Sequence, residues 1–255
     1  MSLKKMKYGL YRKLPATSKG FMAKKRKGYQ INVRFAAPYQ SQFGQDRVVN
    51  EVVFKGKANG FFVDIGANDG ETGSNTAYFE RSLDWTGICV EPQPDIFAEL
   101  QRNRNCEMVQ CCITDKPGTM KFLKVAGANM LSGLVDLLDE KHKARIEKEE
   151  DKAIGSETID VECRTFSDVL GDRTQIDYLN IDTEGAEMSI LKCIDFKRYN
   201  IGCITVENNY DDPERFKLLE RNGFKLLLVA GDEVYVNQSI ASGIGPFDEI
   251  QKALS

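Results

Sequence analysis

The sequence predicts an α/β protein in which buried strands alternate with helices and an antiparallel hairpin closes the sheet. Short apolar runs rich in β-branched residues recur along the chain, and stretches with helical spacing lie between them. The first such run ends in a glycine-rich turn, as strands do in nucleotide-binding strand–turn–helix units. Near the C-terminus, Gly231-Asp232 separates two strand-like runs, 224–229 and 233–236, which indicates a hairpin.

The size and composition are those of one globular domain. The chain has 255 residues, of which 42% are hydrophobic and 29% are charged, so it can bury one core. No apolar run approaches the ~20 residues that a bilayer-spanning helix needs, and we see no signal-peptide core. The seven cysteines form no CxxC pair and lie mostly in apolar runs, which favours free thiols in a reducing compartment. We therefore expect a cytoplasmic protein without a zinc site.

A basic N-terminal extension, residues 1–38, precedes a domain that we predict to span residues 39–255. Residues 1–28 carry ten lysines and arginines and no acidic residue, whereas the rest of the chain is acidic. Such an arm either contacts an anionic surface, such as lipid, nucleic acid or a phosphorylated substrate, or remains a solvated extension. We favour the solvated extension, because a charged run is weak support for a specific partner. The acidic body argues against a nucleic-acid partner.

The segment 39–46 is rich in amide side chains and precedes a helical pattern of valines over 48–53. Gln42 and Asp46 lie in this segment. It either folds over a ligand held at the neighbouring glycine turn, or it caps the helix with side chains that hydrogen-bond the loop. Spacing alone leaves both interpretations open.

The first strand and its turn are the best candidate for a ligand-binding unit. The apolar run Phe61–Ile65 contains only Asp64 as a charged residue, and the glycine turn 66–70 lets a ligand approach the backbone. A helix is predicted to begin near Ser74. A second strand, over 87–90, delivers Glu91 about 20 residues beyond the turn, where a carboxylate accepts hydrogen bonds from ribose hydroxyls.

The chemistry of this turn favours S-adenosylmethionine over a dinucleotide. The turn lacks the third glycine that brings a helix N-terminus to a pyrophosphate. Acidic residues just before it and within it would repel a diphosphate but would hold an ammonium group. The expected ligand therefore carries a ribose, an adenine and an amino-acid head.

The following segments continue the alternation. We predict a helix over 94–102, a third strand over 108–113 and, after a turn at 116–118, an alternating edge strand over 119–125. Asp115, at the end of the third strand, either lies near the adenine or forms the turn.

Residues 127–156 are predicted to form a lid-like insertion over the substrate. The insertion keeps apolar residues that can pack, and it contains the only histidine, His142. His142 is a candidate general base, because its ordinary pKa suits proton transfer near neutrality. We favour an exposed helix position for it, since its neighbours are lysines and arginines.

Acidic side chains follow the next two central strands. Asp182, Glu184 and Glu187 come after the strand over 178–181, and Glu207 and Asn208 come after the strand over 201–206. Parallel strands end at the same edge of a sheet, where ligands bind, so we expect these groups to lie close together. Asp182, Glu207 and Asn208 offer oxygen ligands that suit Mg²⁺ or Mn²⁺. The alternative is that the same groups cap helices and bond the cofactor or substrate directly.

The order of these motifs resembles that of the FkbM family of S-adenosylmethionine-dependent methyltransferases. The most informative stretches are Phe62-Val-Asp-Ile-Gly-Ala-Asn-Asp-Gly70 and Ile181-Asp-Thr-Glu-Gly-Ala-Glu187, and shorter matches occur at 41–46, 74–76, 85–92, 131–134 and 205–208. The resemblance implies a Rossmann-like class I methyltransferase fold with a seven-stranded, mostly parallel sheet closed by an antiparallel hairpin. It also implies methyl transfer from S-adenosylmethionine to a hydroxyl of a sugar, a glycan or a glycosylated metabolite.

Carried over by position, the family pattern assigns roles to most of the motif residues. The cofactor is expected to be held by Asp64, Gly66, Asn68 and Glu91 and covered by Gln42 and Asp46, with further contacts from the motif residues Ser74, Asn75, Thr76 and Pro92. The acceptor is expected to face Asp182, Glu184, Glu207 and Asn208, and the three acids are the candidate catalytic residues. Asp115, from its strand-end position, and His142, from its ordinary pKa, remain further candidates for cofactor binding and for the general base. The set Asp182, Glu207 and Asn208 is similar to the metal ligands of catechol-type O-methyltransferases. Here Glu207 replaces an aspartate, and Gly185 stands where those enzymes have a lysine.

Two other functions remain open at this point. An NAD-dependent oxidoreductase would share the strand–turn–helix unit and the ribose carboxylate. A catalytically degenerate methyltransferase-like domain would serve as a binding module.

Overall fold

The computed structural model of the protein describes residues 28–34, 36–125, 132–134, 156–207 and 213–254. The strands in these ranges are β1 (Phe61–Ile65), β2 (Thr86–Val90), β3 (Glu107–Val109), β4 (Cys112–Ile113), β5 (Gly118–Val125), β6 (Gly133–Leu134), β7 (Ser156–Arg164), β8 (Gln175–Ile181), β9 (Asn200–Val206), β10 (Phe224–Ala230) and β11 (Asp232–Asn237). The helices are α1 (Gln45–Val48), which continues as a π-helical segment (Val49–Phe54), α2 (Ala77–Leu83), α3 (Pro94–Asn103), α4 (Phe166–Leu170), α5 (Glu187–Cys193), α6 (Pro213–Arg221), α7 (Gln238–Ala241) and α8 (Phe247–Leu254).

A seven-stranded sheet forms the centre of the fold, in the order β10-β11-β9-β8-β1-β2-β3. The strands from β9 to β3 run parallel, whereas β11 pairs antiparallel with both β9 and β10. The predicted mostly parallel sheet closed by an antiparallel hairpin is therefore confirmed.

The register of the central strands brings their carboxyl ends to one edge. Ile65 pairs with Val90 on one side and with Ile181 on the other, and Ile181 pairs with Val206. The residues that follow these four positions are Gly66, Glu91, Asp182 and Glu207. Four residues predicted for the site from separate parts of the chain thus lie along one edge of the sheet.

Alternate residues of the central strands face two separate layers of core. Val63 and Ile65 belong to one buried cluster, whereas Phe62 belongs to the other. Burial on both faces explains the continuous apolar runs in the sequence, and each large buried side chain stabilises the fold by about 1.5–3 kcal/mol. Asp64 is a charged residue in this setting, with 2% of its surface exposed. Its carboxylate therefore needs hydrogen-bond partners inside the protein.

The predicted third strand over 108–113 is wrong in its extent. β3 ends at Val109, and Cys112 and Ile113 form β4 in a second sheet, of order β4-β7-β5-β6. The Glu91 amide donates to the Val109 carbonyl (3.2 Å), whereas the Thr114 amide donates to Arg164 of β7 (3.0 Å). The chain therefore passes from one sheet to the other within a single apolar run, and the run itself carries no mark of the transition.

One helix prediction also needs correction, and two helices were not predicted. α2 begins at Ala77, because Ser74 Oγ accepts the amides of Thr76 (3.3 Å) and Ala77 (3.1 Å) and so shapes the turn before the helix. The unpredicted helices are α7 and α8. α8 packs through Ile250 and Leu254, which are 5% and 0% exposed.

Two short pieces of the predicted insertion, and the last part of the predicted extension, join the fold. Within 127–156 the structure describes residues 132–134 and 156, and β6 pairs antiparallel with β5. Tyr29 and Ile31 hydrogen-bond to Val229 of β10 through their backbones (3.0 and 2.9 Å). Most of the insertion, including His142, and the basic residues before position 28 lie outside the described residues.

Two bulk predictions can be compared with the structure. The seven cysteines carry free thiols, as predicted. In the described ranges, no helix combines the length and the apolar character that crossing a membrane requires.

Candidate active site

A cavity of about 610 Å³ opens at the carboxyl edge of the central sheet. Its volume lies within the roughly 300–1,000 Å³ typical of small-molecule sites. The predicted site residues that line it are Gln42, Asp64, Gly66, Asn68, Ser74, Asn75, Glu91, Pro92, Asp182, Glu184 and Glu207. Asp46, Thr76 and Asp115 lie outside its lining, and His142 and Asn208 lie outside the described residues. One space therefore joins both halves of the predicted site.

Gly66 makes the turn at the end of β1. Its φ is +86°, and a Cβ built on it would lie 1.8 Å from the carbonyl oxygen of Asp182 on the neighbouring strand. A side chain at this position would collide with backbone, so the turn requires glycine. Because Gly66 has no side chain, its backbone atoms line the cavity directly and form what we call the cavity floor.

Glu91 is buried at the end of β2, with 4% of its surface exposed. Its carboxylate accepts hydrogen bonds from the backbone amides of Asn68 (3.2 Å) and Gln93 (2.9 Å). Burial raises the pKa of Glu91 to about 7, although the two amides favour the charged form. A ligand with two adjacent hydroxyls would supply the further donors that this buried carboxylate can accept.

Asp64 belongs to a buried hydrogen-bond network beneath the cavity. Its carboxylate oxygens accept hydrogen bonds from Asn180 Nδ2 (2.8 Å) and Thr76 Oγ1 (2.6 Å). Asn180 Oδ1 in turn accepts from Asn75 Nδ2 (2.9 Å) and Thr205 Oγ1 (2.6 Å). The network explains how a charged residue is tolerated in a central strand. In this network the Thr76 hydroxyl donates to Asp64, and Thr76 does not line the cavity.

Two buried side-chain oxygens at the cavity have no hydrogen-bond partner in the described part of the chain. They are Asn75 Oδ1 and Gln93 Oε1, on residues that are 5% and 4% exposed. A buried acceptor without a donor costs roughly 1–3 kcal/mol. A ligand that brings N–H or O–H groups would remove this cost, so the cavity fits a ligand with several donors.

Arg104 was not predicted as a site residue, yet it supports the glycine turn from below. Its side chain forms a buried ion pair with Glu80, and the guanidinium donates to the Gly70 carbonyl (3.3 Å), Ser74 Oγ (3.3 Å) and Thr76 Oγ1 (3.1 Å). These partners lie about 30 residues before Arg104 in the sequence. Nothing in the sequence around Arg104 indicates that it hydrogen-bonds the glycine turn.

The carboxylates of Asp182, Glu184 and Glu207 converge at the other end of the cavity. One oxygen of each lies within 4.8 Å of the other two. Burial raises the pKa of Asp182 well above its ordinary value, and the negative charge of Glu207 adds to the shift. The Asp182 carboxyl therefore takes up a proton more readily than an exposed aspartate does. The three converging carboxylates also suit a hard cation.

Glu187, the remaining acid of this strand end, shapes the loop. Its Oε1 accepts hydrogen bonds from the amides of Thr183 (3.2 Å) and Gly185 (2.8 Å). Between them, Glu184 adopts a φ of +54°. Glu187 therefore fixes the turn that carries Glu184.

Asp46 shapes the 40–46 segment and does not face the cavity. Its buried carboxylate accepts the amides of Gln40 (2.6 Å) and Ser41 (3.1 Å) and the Ser41 hydroxyl. Of the two interpretations of this segment, hydrogen bonding within the loop describes Asp46. Gln42, in contrast, lines the cavity. Asp46 thus places Gln42 instead of contacting a ligand itself.

Asp115 is exposed, outside the cavity lining, which agrees with the turn-forming interpretation. The wall near it comes instead from residues that sequence reasoning missed. They are Cys111, Cys112 and Ile113, together with Phe122 and Leu134 of the second sheet. The second sheet was not predicted, so no sequence pattern indicated that its residues line the cavity.

The sheet order and the antiparallel closing hairpin are those of the class I methyltransferase fold, and the cavity opens beside Gly66. The model of the Methyltransferase FkbM domain matches residues 64–226, which is most of the central sheet. The chain belongs to this family, as its motifs predict, and is a methyltransferase.

Similar proteins are also described as methyltransferases. Methyltransferase sdnD of Sordaria araneosa is 28% identical over 197 residues, which are 66% of this chain and 75% of the relative. The solved structure of methyltransferase FkbM from Methylobacillus flagellatus aligns at a TM-score of 0.44 and 10% identity, over 90% of this chain and 57% of that chain. A TehB-like SAM-dependent methyltransferase from Corynebacterium glutamicum aligns at 0.39 and 11% identity, over 77% and 86%. The family assignment rests on the sequence match.

Proposed function

We propose that the protein is an S-adenosylmethionine-dependent O-methyltransferase that acts on a hydroxyl of a sugar, a glycan or a glycosylated metabolite. The proposal rests on one cavity that joins two groups of residues. Glu91 lies at one end, and the carboxylates of Asp182, Glu184 and Glu207 lie at the other. The first end suits a nucleoside donor. The second suits an acceptor that must lose a proton.

The residues at the donor end fit S-adenosylmethionine. Glu91 would accept both ribose hydroxyls, and Asn75 Oδ1 and Gln93 Oε1, which lack partners among the described residues, would accept amino or hydroxyl donors. The floor at Gly66 leaves room for the ligand. S-adenosylmethionine supplies an electrophilic methyl group when bound, and the protein residues hold it and exclude water from it.

Cofactor affinity should rise with pH through the pKa of Glu91. Burial raises this pKa to about 7 in the free protein, so below it the carboxyl is mostly protonated and accepts hydroxyl donors poorly. Above it the carboxylate is ionised and binds them well. S-adenosylhomocysteine should therefore bind about 10-fold more tightly at pH ~8 than at pH ~6.

Calorimetric titration at the two pH values measures this difference. Glu91→Gln is the matched variant, and it should bind weakly with little dependence on pH. Equal wild-type affinity at both pH values would contradict the assignment of Glu91 to the ribose.

Asp182 is the proposed proton acceptor at the other end. A sugar hydroxyl becomes a good nucleophile only as its proton leaves. The Asp182 carboxylate would take up the hydroxyl proton as the acceptor oxygen is methylated, and bound S-adenosylmethionine would supply the methyl group and be left as S-adenosylhomocysteine. The surroundings that raise the pKa of Asp182 make its ionised form a stronger base than an exposed aspartate. His142 remains a candidate base that lies outside the described residues.

A divalent cation is the alternative that the same carboxylates fit. Asp182 and Glu207 would hold Mg²⁺ or Mn²⁺, together with Asn208, which lies outside the described residues. A bound cation would lower the pKa of the acceptor hydroxyl. With Asp182 acting directly, we expect the rate of methyl transfer to be unchanged in EDTA. A rate that collapses in EDTA and returns with Mg²⁺ or Mn²⁺ would contradict direct catalysis and assign the cation.

The proposal as a whole is tested by calorimetry and by transfer of labelled methyl groups. We expect S-adenosylhomocysteine to bind and NAD not to bind. We also expect labelled S-adenosylmethionine to methylate at least one member of a panel of methyl pyranosides. Binding of NAD alone would favour an oxidoreductase. Binding of S-adenosylhomocysteine without transfer to any hydroxyl acceptor would favour a degenerate binding module.

A further inference from the structure

We propose that Phe43 is the acceptor platform, on which the apolar face of a sugar ring stacks while its hydroxyl edge meets the acidic cluster. The inference rests on the proposed function, because it places the acceptor in the same cavity. Phe43 lines that cavity and is 48% exposed, and no other large hydrophobic side chain in the described residues is exposed. Small-molecule sites combine such apolar surfaces with a few convergent polar groups.

Exposure alone would not single out this ring, because isolated apolar side chains are common on protein surfaces. Phe43, however, is held in place. Its amide donates to Gln45 Oε1 (2.9 Å), and Gln45 Nε2 donates to the Asp232 carboxylate (2.6 Å). The ring lies on Gly231, where an added Cβ would be 2.1 Å from Phe43 Cδ2. A ring fixed in this way loses little conformational entropy when a ligand stacks on it.

The position of Phe43 in the fold assigns it to the acceptor end. Gly231 lies between β10 and β11, and β11 is the neighbour of β9, which delivers Glu207. Glu91 follows β2, on the opposite side of β1 and β8. The ring is thus beside the strands that carry the acidic cluster and is separated from the strand that carries the ribose carboxylate.

The combination of an apolar ring with carboxylates matches the two sides of a pyranose. An aromatic face carries partial negative charge and attracts the C–H groups on one face of the sugar. The hydroxyls on the sugar edge donate to carboxylates in strong hydrogen bonds. A linear polyol offers the hydroxyls without the apolar face, so Phe43 should select cyclic acceptors over linear ones.

Phe43→Trp turns the platform into a fluorescent reporter in the full-length protein. The native Trp85 is 2% exposed and gives a constant background. With the variant saturated with S-adenosylhomocysteine, we would titrate the methyl pyranosides of glucose, galactose, mannose and fucose, with sorbitol as the linear control. At least one pyranoside should shift the emission of the introduced indole, and sorbitol should not. No shift with any pyranoside, or an equal shift with sorbitol, would overturn the platform.

Transfer kinetics give a second readout with matched variants. Phe43→Leu keeps an apolar side chain but removes the aromatic face, and Phe43→Tyr keeps the face. For the best pyranoside acceptor, Phe43→Leu and Phe43→Ala should raise KM by roughly 3- to 10-fold with little change in kcat. Phe43→Tyr should keep the wild-type KM. An unchanged KM in Phe43→Leu would show that the aromatic face is not used.

The failure of this inference can be distinguished from the failure of the proposed function. If wild type binds S-adenosylhomocysteine and methylates a pyranoside, but the Phe43 variants behave like wild type, only the platform is wrong. If wild type binds no S-adenosylhomocysteine or methylates no pyranoside, the proposed function fails and the platform fails with it.

Discussion

Gly66→Ala is expected to abolish cofactor binding and to destabilise the fold. An alanine at a φ of +86° costs about 1–2 kcal/mol. Its Cβ would also lie 1.8 Å from the Asp182 carbonyl oxygen. The strand end cannot move away freely, because the Asp182 amide donates to the Ile65 carbonyl (3.0 Å). The free energy of unfolding should fall by roughly 2–4 kcal/mol. Affinity for S-adenosylhomocysteine should fall by at least about 100-fold, because the cavity floor is displaced.

Gly223→Ala is the matched control for this prediction. Gly223, just after α6, has the same φ of +86°, but a Cβ added to it meets nothing within 4 Å. The control therefore carries the backbone strain without the collision. It should lose about 1–2 kcal/mol of stability and bind S-adenosylhomocysteine like wild type. If Gly66→Ala also bound like wild type, the turn would not form the floor of the cofactor site.

The residues that could be predicted from sequence are those whose role follows from local pattern and strand order. The run at β1 ends in glycine, and Glu91 ends the next strand, so both positions follow from periodicity and from the rule that parallel strands end at one edge. Asp182 and Glu207 follow from the same rule. These predictions assume only that the strands pair in parallel. They require no other contact between distant segments.

The residues that could not be predicted act through contacts between distant segments. Arg104 reaches back to the glycine turn, and Gln45 reaches forward to Asp232 across most of the chain. The second sheet depends on pairing of β5 with β7, which flank the insertion. Asp46 is the opposite case. Its motif predicts a contact with the cofactor, but its carboxylate accepts hydrogen bonds from residues of its own loop. Motif position therefore locates the site more reliably than it assigns each side chain in it.

Asp182→Asn is expected to stop methyl transfer while leaving the cofactor site intact. The substitution keeps the size of the side chain and the backbone hydrogen bond of the strand end, but it removes the carboxylate that we propose as the proton acceptor. The rate of transfer should fall by roughly 100- to 10,000-fold, the usual contribution of a positioned general base. Affinity for S-adenosylhomocysteine should stay near the wild-type value, because Glu91 and the Gly66 turn are unchanged. Labelled methyl transfer and calorimetry measure the two quantities separately.

The stability of the same variant distinguishes lost chemistry from a damaged fold. The pKa of Asp182 is raised above its unfolded value by burial and by neighbouring negative charges, so the folded state takes up the proton more readily than the unfolded state. The stability contributed by this group is therefore lost as pH rises from the unfolded pKa through the folded one. In EDTA at alkaline pH, the asparagine should raise the free energy of unfolding by roughly 1 kcal/mol, because it removes a partly buried negative charge from a repulsive cluster. Asp172→Asn, at an exposed position, should change neither rate nor stability. A slow variant that is also less stable than wild type would indicate a distorted strand end, and a variant with normal rate would remove Asp182 from the mechanism.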